Sequence, residues 1–315
     1  MAGEGSTVPL PPGGVPWDRA IEVCTADGLR LRGAVWSAPG ARRHALLLPG
    51  RTEFLEKLCI PAAGLVARGF AVAAFDWRGQ GLSDRLLPNA LKGHVAAFAD
   101  YRADLAAFLA APEVAALPGE RLVVGHSMGG CIALGAMLRG ALAVRAALFS
   151  APMLGIALDP VARAAAAVVV GLGARLGQQH LWAPVPRPDM PYVLQGFAGN
   201  VLTHDRAVFD WMVAALLDEP RLRLGQAPTI GWLEAAAAEM RFIARHARAL
   251  GCPAMALLGT DERVVDAATL RRLAPRLGLD VVEIPGARHE ILLEAAPMRA
   301  AGWAAADRFL GAVSI

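Results

Sequence analysis

The chain of 315 residues has little lysine, little serine and few charges. Two of its 31 basic residues are lysines, and charged residues make up 19% of the sequence against 55% hydrophobic residues. This composition excludes a disordered, tail-like protein. The net charge is +3 and no run of basic residues exceeds two, which argues against a nucleic-acid-binding surface. The sequence therefore predicts a globular protein with a large core and no nucleic-acid partner, and it leaves the oligomeric state open.

Long apolar runs and paired cysteine motifs are also absent. The apolar stretch 164–174 is too short for a bilayer, which needs about 20 residues. The first residues lack the basic and apolar regions of a signal peptide. The four cysteines are scattered without a C-x-x-C pair, so reduced thiols are expected rather than disulfides or a zinc site. We expect a soluble, cytoplasmic protein, with peripheral membrane contact through 161–176 as a weaker alternative.

Short apolar runs alternate with helical patterns along much of the chain. The runs are bounded by turn residues and lie at 44–48, 70–75, 121–124, 146–149, 253–258 and 281–284. This alternation predicts an α/β fold with a mainly parallel sheet flanked by helices. It is interrupted by helical patterns at 155–245. We therefore predict a flexible leader at 1–16, a sheet domain formed by 17–154 and 246–315, and an inserted helical cap at 155–245.

The strongest chemical signal is the segment Gly125-His126-Ser127-Met128-Gly129, which lies between a predicted strand and a predicted helix. A G-x-S-x-G pattern in this context is typical of a nucleophile elbow, a sharp turn that presents the serine above the sheet. Gly125 and Gly129 are needed because strand and helix pass too close for a Cβ atom. With only six serines in the chain, a chance match is improbable. The pattern predicts Ser127 as the nucleophile.

A serine nucleophile needs a base and an acid that orients the base. In this fold the acid and then the histidine follow the serine along the chain. Of seven histidines, His289 is the one that follows the last predicted strand, so we predict it as the general base. Asp261, after the strand at 253–258, is the predicted acid. Glu262 stays open as an alternative, while Asp266 is expected to cap a helix.

The oxyanion hole is predicted from two backbone N–H groups. One belongs to Met128, which follows the nucleophile. The other is assigned to Arg51, in the loop 48–53 that follows the run at 44–48. Two interpretations of the Arg51 side chain stay open: contact with a polar or anionic substrate group, or exposure to solvent.

Several motifs of the sequence are similar to those of a known family. The sequence resembles the α/β-hydrolase superfamily, and within it the branch of monoacylglycerol lipases and bacterial lysophospholipases, also called serine aminopeptidase-like. The resemblance is carried by LLLPGRTEFLEK (46–57), DWRGQGLSDR (76–85), GHSMGG (125–130), LFSAPMLGI (148–156), GTDERVVD (259–266) and PGARHEILLE (285–294). It implies the triad Ser127, Asp261 and His289 and an oxyanion loop at Gly50–Arg51. Many members carry His-Gly where this chain has Pro49-Gly50.

We therefore expect a serine hydrolase that cleaves a carboxylic ester of a single-chain lipid, a lysophospholipid or a monoacylglycerol, through an acyl-enzyme. This chemistry needs no metal and no organic cofactor. A small-ester carboxylesterase or thioesterase is the first alternative. An aminopeptidase would use Glu234 or Glu239 to hold the substrate amine. A non-catalytic ligand-binding receptor on the same scaffold is the alternative from a different class.

Overall fold

The computed structural model describes residues 8–314, and within them eight strands form one sheet. In chain order the strands are β1 (Arg19–Cys24), β2 (Arg30–Trp36), β3 (Arg43–Leu48), β4 (Phe70–Phe75), β5 (Glu120–His126), β6 (Ala146–Ser150), β7 (Ala254–Gly259) and β8 (Leu279–Ile284). Across the sheet they are arranged as β1-β2-β4-β3-β5-β6-β7-β8. The pairs β1–β2 and β2–β4 are antiparallel, and the other pairs are parallel.

Nine α-helices occur within the described residues. They are α1 (Leu55–Val66), α2 (Phe98–Ala110), α3 (Pro112–Ala115), α4 (Ser127–Leu138), α5 (Pro160–Arg175), α6 (Arg206–Asp218), α7 (Ile230–His246), α8 (Ala267–Leu277) and α9 (Ala296–Ala312). Together with the sheet they confirm the predicted α/β class. Helices α1, α2, α3, α4 and α8 run between successive strands, as crossover connections of a parallel sheet require, and α9 follows β8.

The central strands are continuous apolar runs because both faces of the sheet are covered. Every residue of β4, β6 and β7 is buried. Successive residues of a strand enter different cores: in β3, Leu46 and Leu48 belong to one hydrophobic cluster, and Leu47 belongs to the other. The two cores hold the sheet between layers of helices, and the carboxyl ends of its parallel strands form the edge where the predicted site residues lie.

The chain leaves the sheet after β6 and returns at β7, with α5, α6 and α7 between them. Helix α7 packs against α4 of the sheet domain and against α5. Gly173 allows the close approach of α5, because a Cβ atom there would lie 2.8 Å from Cγ2 of Ile230. An excursion of this kind is what the interrupted strand pattern predicts, and the exact division at 155 and 245 stays a prediction.

Residues 8–16 contact both the sheet domain and helix α6 of the inserted segment. Val8 is buried, and the indole N–H of Trp211 donates a hydrogen bond of 2.8 Å to the Pro9 carbonyl. The Trp36 indole donates to the Val15 carbonyl at 3.0 Å. The predicted flexible leader therefore contains residues that pack against the rest of the fold, among them Val8 and Val15, and its first seven residues lie outside the described part of the chain. Across residues 8–314, no helix combines the length and apolar character needed to cross a membrane.

Candidate active site

Ser127 lies at a sharp turn between β5 and α4. Its φ angle is 49°, a left-handed conformation that a non-glycine residue adopts only where the surroundings impose it. A Cβ atom on Gly129 would lie 2.2 Å from the carbonyl oxygen of Leu48, and one on Gly125 would lie 2.8 Å from Cα of Gly130. The neighbouring backbone thus leaves no room for side chains on either side of Ser127, which is the geometry of a nucleophile elbow.

His289 lies in the loop after β8, and its ring is held by a carboxylate. Its Nδ1 atom is 2.8 Å from Oε2 of Glu262, and both side chains are almost fully buried. The other oxygen of Glu262 accepts hydrogen bonds from the N–H groups of Val264 and Val265 at 2.6 and 3.1 Å. Burial alone would raise the pKa of Glu262, but the hydrogen bonds from His289 and from the two backbone N–H groups outweigh burial and lower it. A charged carboxylate therefore fixes the orientation of the imidazole.

The other predicted acid, Asp261, does not contact His289. Its Oδ1 atom accepts a hydrogen bond of 2.7 Å from Arg263, and its Oδ2 atom lies 3.6 Å from Arg288. Asp261 follows the turn that ends β7 and faces solvent, whereas the next residue, Glu262, turns inward. The contact with His289 that was predicted for Asp261 is thus made by Glu262, the open alternative. Asp266 caps α8 as expected, because its side chain accepts from the Thr269 N–H.

The loop between β3 and α1 lies directly against the elbow. A Cβ atom on Gly50 would be 3.1 Å from Cβ of Ser127. Three side chains hold this loop: the Trp77 indole donates to the Pro49 carbonyl at 2.9 Å, the Gln80 amide donates to the Gly50 carbonyl at 2.8 Å, and the Glu53 carboxylate accepts from the Gly50 N–H. Pro49 stands where many members of the resembled branch carry a histidine, and it is anchored through its carbonyl oxygen.

Arg51 offers different groups to the two sides of this loop. Its N–H makes no hydrogen bond to any acceptor in residues 8–314, as an oxyanion donor requires. Its guanidinium donates to the carbonyls of Gln226 and Ala227, at 3.0 and 2.8 Å. Burial lowers the pKa of Arg51 to about 10. The guanidinium is therefore bound to the protein, which is neither of the two open interpretations, solvent exposure or contact with a substrate. It links the loop after β3 to the segment that precedes α7.

A buried charged cluster lies beside the elbow. Ligand-type atoms of Glu53, His126 and Glu290 lie within 4.8 Å of one another, a spacing that a metal ion could use. The ammonium of Lys57 lies against both carboxylates, 2.9 Å from Glu53 and 2.5 Å from Glu290, and supplies the positive charge that they need. Sequence analysis did not identify this cluster. The signal for it was a rare lysine in an apolar helical segment, four residues after a glutamate.

The fold and the site geometry define an α/β-hydrolase. Residues 39–296 match the family described as Serine aminopeptidase, S33 (Hydrolase_4). Lysophospholipase L2 of Escherichia coli strain K12 is 33% identical over 298 residues, which cover 88% of this chain and 83% of that protein. Probable lysophospholipase L2 of Haemophilus influenzae is 25% identical over 269 residues, covering 84% and 83%. The chain therefore belongs to the serine aminopeptidase S33 family, and the expected family and hydrolase class are confirmed.

Solved structures of low sequence identity share the fold. A soluble variant of monoglyceride lipase from Saccharomyces cerevisiae, in complex with a substrate analogue, has a TM-score of 0.71 and 17% identity over 96% of this chain and 99% of that chain. Monoacylglycerol lipase of Paleococcus ferrophilus has a TM-score of 0.67 and 18% identity over 89% and 98%. These similarities show that the chain shares the fold of these structures.

Proposed function

We propose that the chain is a serine hydrolase that cleaves the carboxylic ester of a single-chain lipid through an acyl-enzyme. The observation that carries the proposal is the buried His289, oriented by Glu262 and packed beside the strained Ser127 turn. The ring of His289 lies 4.7 Å, centroid to centroid, from that of His126, the residue before Ser127. The 33% identity to a lysophospholipase supports a lipid ester as the substrate.

In the first step, Ser127 Oγ attacks the ester carbonyl carbon and His289 Nε2 takes its proton. Glu262 stabilises the imidazolium that forms, and the N–H groups of Arg51 and Met128 stabilise the negative oxygen. When the tetrahedral intermediate collapses, the bond to the alcohol oxygen breaks and His289 returns the proton to that oxygen. The products are the free alcohol and an acyl group bound to Ser127.

In the second step, water attacks the acyl carbon while His289 again takes a proton. Collapse breaks the bond to Ser127 Oγ, which receives the proton, and a fatty acid leaves. Each step uses the same base and the same two N–H donors, so one geometry serves both. The scheme uses side chains and backbone groups alone and draws on no metal or organic cofactor.

The test is fatty-acid release from a lysophospholipid and from a monoacylglycerol of the same chain length, with Ser127→Ala as control. We expect release that the Ser127→Ala variant abolishes, and a fluorophosphonate should label wild-type protein at Ser127. Absence of release from both lipids, with hydrolysis of short esters or thioesters, would replace the lipid substrate with a small one. A folded wild-type protein that no fluorophosphonate labels would favour a ligand-binding receptor.

One observation bears on aminopeptidase activity. The Glu239 carboxylate is buried and pairs with Arg139 at 2.6 Å and with Arg102 at 3.0 Å. It is therefore engaged within the fold rather than open to a substrate amine, which leaves Glu234 as the remaining carboxylate of that hypothesis. Amino-acid p-nitroanilides belong in the same assay series, and their hydrolysis in preference to esters would contradict the lipid proposal.

We further propose that α5 places the enzyme at the surface of a membrane. One side of this segment is apolar and exposed: 79% of Val161, 67% of Val168, 54% of Leu172 and 60% of Leu176 is accessible. The spacing of these residues puts them on one face, while another face of α5 packs on α7. Arg175 adjoins the apolar face, whereas Arg163 lies on another side of the helix, 3.5 Å from Asp266. The cation beside the apolar face makes an anionic lipid surface the matching partner. Such a protein would be peripheral to the membrane on its cytoplasmic side.

Co-sedimentation with vesicles tests this proposal. Wild-type protein should bind vesicles that contain phosphatidylglycerol more tightly than neutral phosphatidylcholine vesicles. The pair Val168→Glu and Leu172→Glu should lose at least tenfold in binding and keep its rate on a soluble p-nitrophenyl ester. Leu217→Glu is the matched control, because Leu217 is 55% exposed on α6. Equal binding by wild type and the double variant would refute the assignment.

A further inference from the structure

Lys57, on the first turns of α1, lies between two loops of the active site. Its Nζ atom is 2.9 Å from Oε1 of Glu53 and 2.5 Å from Oε1 of Glu290. The three side chains are between 4% and 6% exposed. Glu53 belongs to the loop between β3 and α1, and Glu290 belongs to the loop after β8. The buried ammonium of Lys57 therefore joins the two loops, and its partner Glu290 lies 233 residues further along the chain.

Through Glu53, Lys57 reaches the oxyanion loop. While Oε1 of Glu53 binds Lys57, its Oε2 accepts a hydrogen bond from the Gly50 N–H. Gly50 directly precedes Arg51, whose N–H is the proposed oxyanion donor. Displacement of the Glu53 carboxylate would therefore shift the peptide unit beside that donor.

Through Glu290, Lys57 reaches the base. Glu290 follows His289 directly, and the Glu290 N–H donates a hydrogen bond of 2.9 Å to the Leu202 carbonyl. Oε2 of Glu290 is buried and has no hydrogen-bond partner among the described residues, so its polar contact to Lys57 is made by Oε1. The backbone that carries the imidazole is thus fixed from one side by the inserted segment and from the other by Lys57.

We propose that Lys57 is a positioning residue that holds the oxyanion loop and the His289 loop at a fixed separation. The proposal rests on the proposed function of Ser127, His289 and the Arg51 N–H. The two loops act on the same tetrahedral intermediate: one stabilises its negative oxygen, and the other moves the proton between the attacking and the leaving oxygen. A displacement of about 1 Å between such groups can lower the rate by roughly 10²-fold.

The charges of the cluster support this role. Burial opposes the charge on Lys57, but the two carboxylates outweigh it and raise the pKa of the ammonium. Burial also opposes the charge on Glu53, yet Lys57 and then His126 lower the pKa of that carboxyl to about 2. The pair is therefore ionised near neutral pH, and charge-assisted hydrogen bonds of this kind hold geometry more strictly than neutral ones.

The experiment compares two variants. Lys57→Met removes the ammonium and leaves two carboxylates buried without it. Lys57→Met combined with Glu53→Gln and Glu290→Gln removes the bridge without leaving an unpaired charge, and the amide that replaces the Glu53 carboxylate keeps an acceptor for the Gly50 N–H. If the single variant fails to fold, the triple variant carries the test. Active sites are counted by fluorophosphonate titration, so that misfolded protein does not enter the rate.

We expect kcat per titrated site on a soluble p-nitrophenyl ester to fall between tenfold and about 10²-fold with KM little changed. Affinity for an alkyl trifluoromethyl ketone, which forms a tetrahedral adduct with the serine, should fall by a similar factor. Arg68→Met is the matched control: Arg68 follows α1 and pairs with Asp307 of α9 at 2.6 Å, away from both loops. It should keep wild-type kcat.

Wild-type kcat and ketone affinity in the triple variant would overturn the proposal, whatever happens to its melting temperature. A loss confined to KM would overturn it too, because positioning acts on the transition state. Failure of the proposed function gives a different result: wild-type protein itself would neither hydrolyse the ester nor be labelled at Ser127.

Discussion

Glu262 lies 2.8 Å from Nδ1 of His289, whereas its neighbour Asp261 binds Arg263 at the surface. The two carboxylates are adjacent in sequence, but the chain turns between them, so only the second reaches the interior. Glu262 is also fixed by the N–H groups of Val264 and Val265. The longer side chain thus takes the place that the family pattern assigns to an aspartate.

Substitution of these two carboxylates separates their roles. Glu262→Gln should lower kcat by about 10³–10⁴-fold, because a neutral amide neither fixes the correct tautomer nor stabilises the imidazolium. Asp261→Asn should stay within about threefold of wild type, since an exposed ion pair contributes little. Rates per titrated active site on a p-nitrophenyl ester provide the measurement. The reverse ranking would return the role to Asp261.

Gly129→Ala should destabilise the protein by about 3 kcal/mol, at the upper end of the usual cost of overpacking. The new Cβ atom would meet the Leu48 carbonyl oxygen at 2.2 Å, and this backbone cannot move without displacing β3. Gly171→Ala is the control, because nothing lies within 4 Å of a Cβ atom there in helix α5. It should be neutral or stabilising. Urea unfolding measures both, and equal stability of the two variants would contradict the argument.

His126 gives the protein a pH-dependent stability. Burial lowers its pKa from 6.5 to about 4, so the unfolded chain binds a proton that the folded protein excludes between these values. The free energy of unfolding should therefore fall by about 3 kcal/mol as pH drops from 7 to 4 through this group. His126→Asn, which keeps a donor for the Ser150 carbonyl, should remove this component. The free energy of unfolding is measured in urea at several pH values between 4 and 7. The same dependence of this free energy on pH in wild type and in His126→Asn would refute the prediction.

Arg51→Met should destabilise the protein by about 2 to 3 kcal/mol, because carbonyls at Gln226 and Ala227 lose their donor. The backbone N–H is unchanged, so kcat per titrated site should remain within about threefold of wild type. Arg51→Lys keeps the charge but offers fewer hydrogen-bond donors. Its thermal stability should therefore lie between that of wild type and that of Arg51→Met. A variant as stable as wild type but catalytically inactive would assign the guanidinium to the reaction instead.

Local signals were enough to predict most of the sheet. Strand β4 is an apolar run between Gly69 and Asp76, and the elbow is a short motif between a strand and a helix. These features depend on neighbouring residues, so periodicity and turn residues reveal them. The position of Ser127 at the turn before α4 and that of His289 in the loop after β8 followed from the order of strands and motifs for the same reason.

The remaining parts of the site depend on contacts between distant segments. Which of Asp261 and Glu262 faces the histidine depends on how one turn packs, and adjacent carboxylates look alike in sequence. The contact of Lys57 with Glu290 and the burial of the Arg51 guanidinium arise only when loops and insert come together. Neither hydrophobic periodicity nor a short sequence motif predicts such contacts between distant segments.

The hydrogen bonds that attach the His289 loop to the inserted segment limit how a substrate can enter. The N–H groups of His289 and Glu290 donate to the carbonyls of Val201 and Leu202, and the Arg288 guanidinium donates to the Thr203 carbonyl. Because of these bonds, outward movement of the whole insert as a rigid body would separate His289 from Ser127. Substrate entry that keeps the enzyme ready to react therefore has to leave residues 201–203 in place, since these residues share hydrogen bonds with the loop that carries the base.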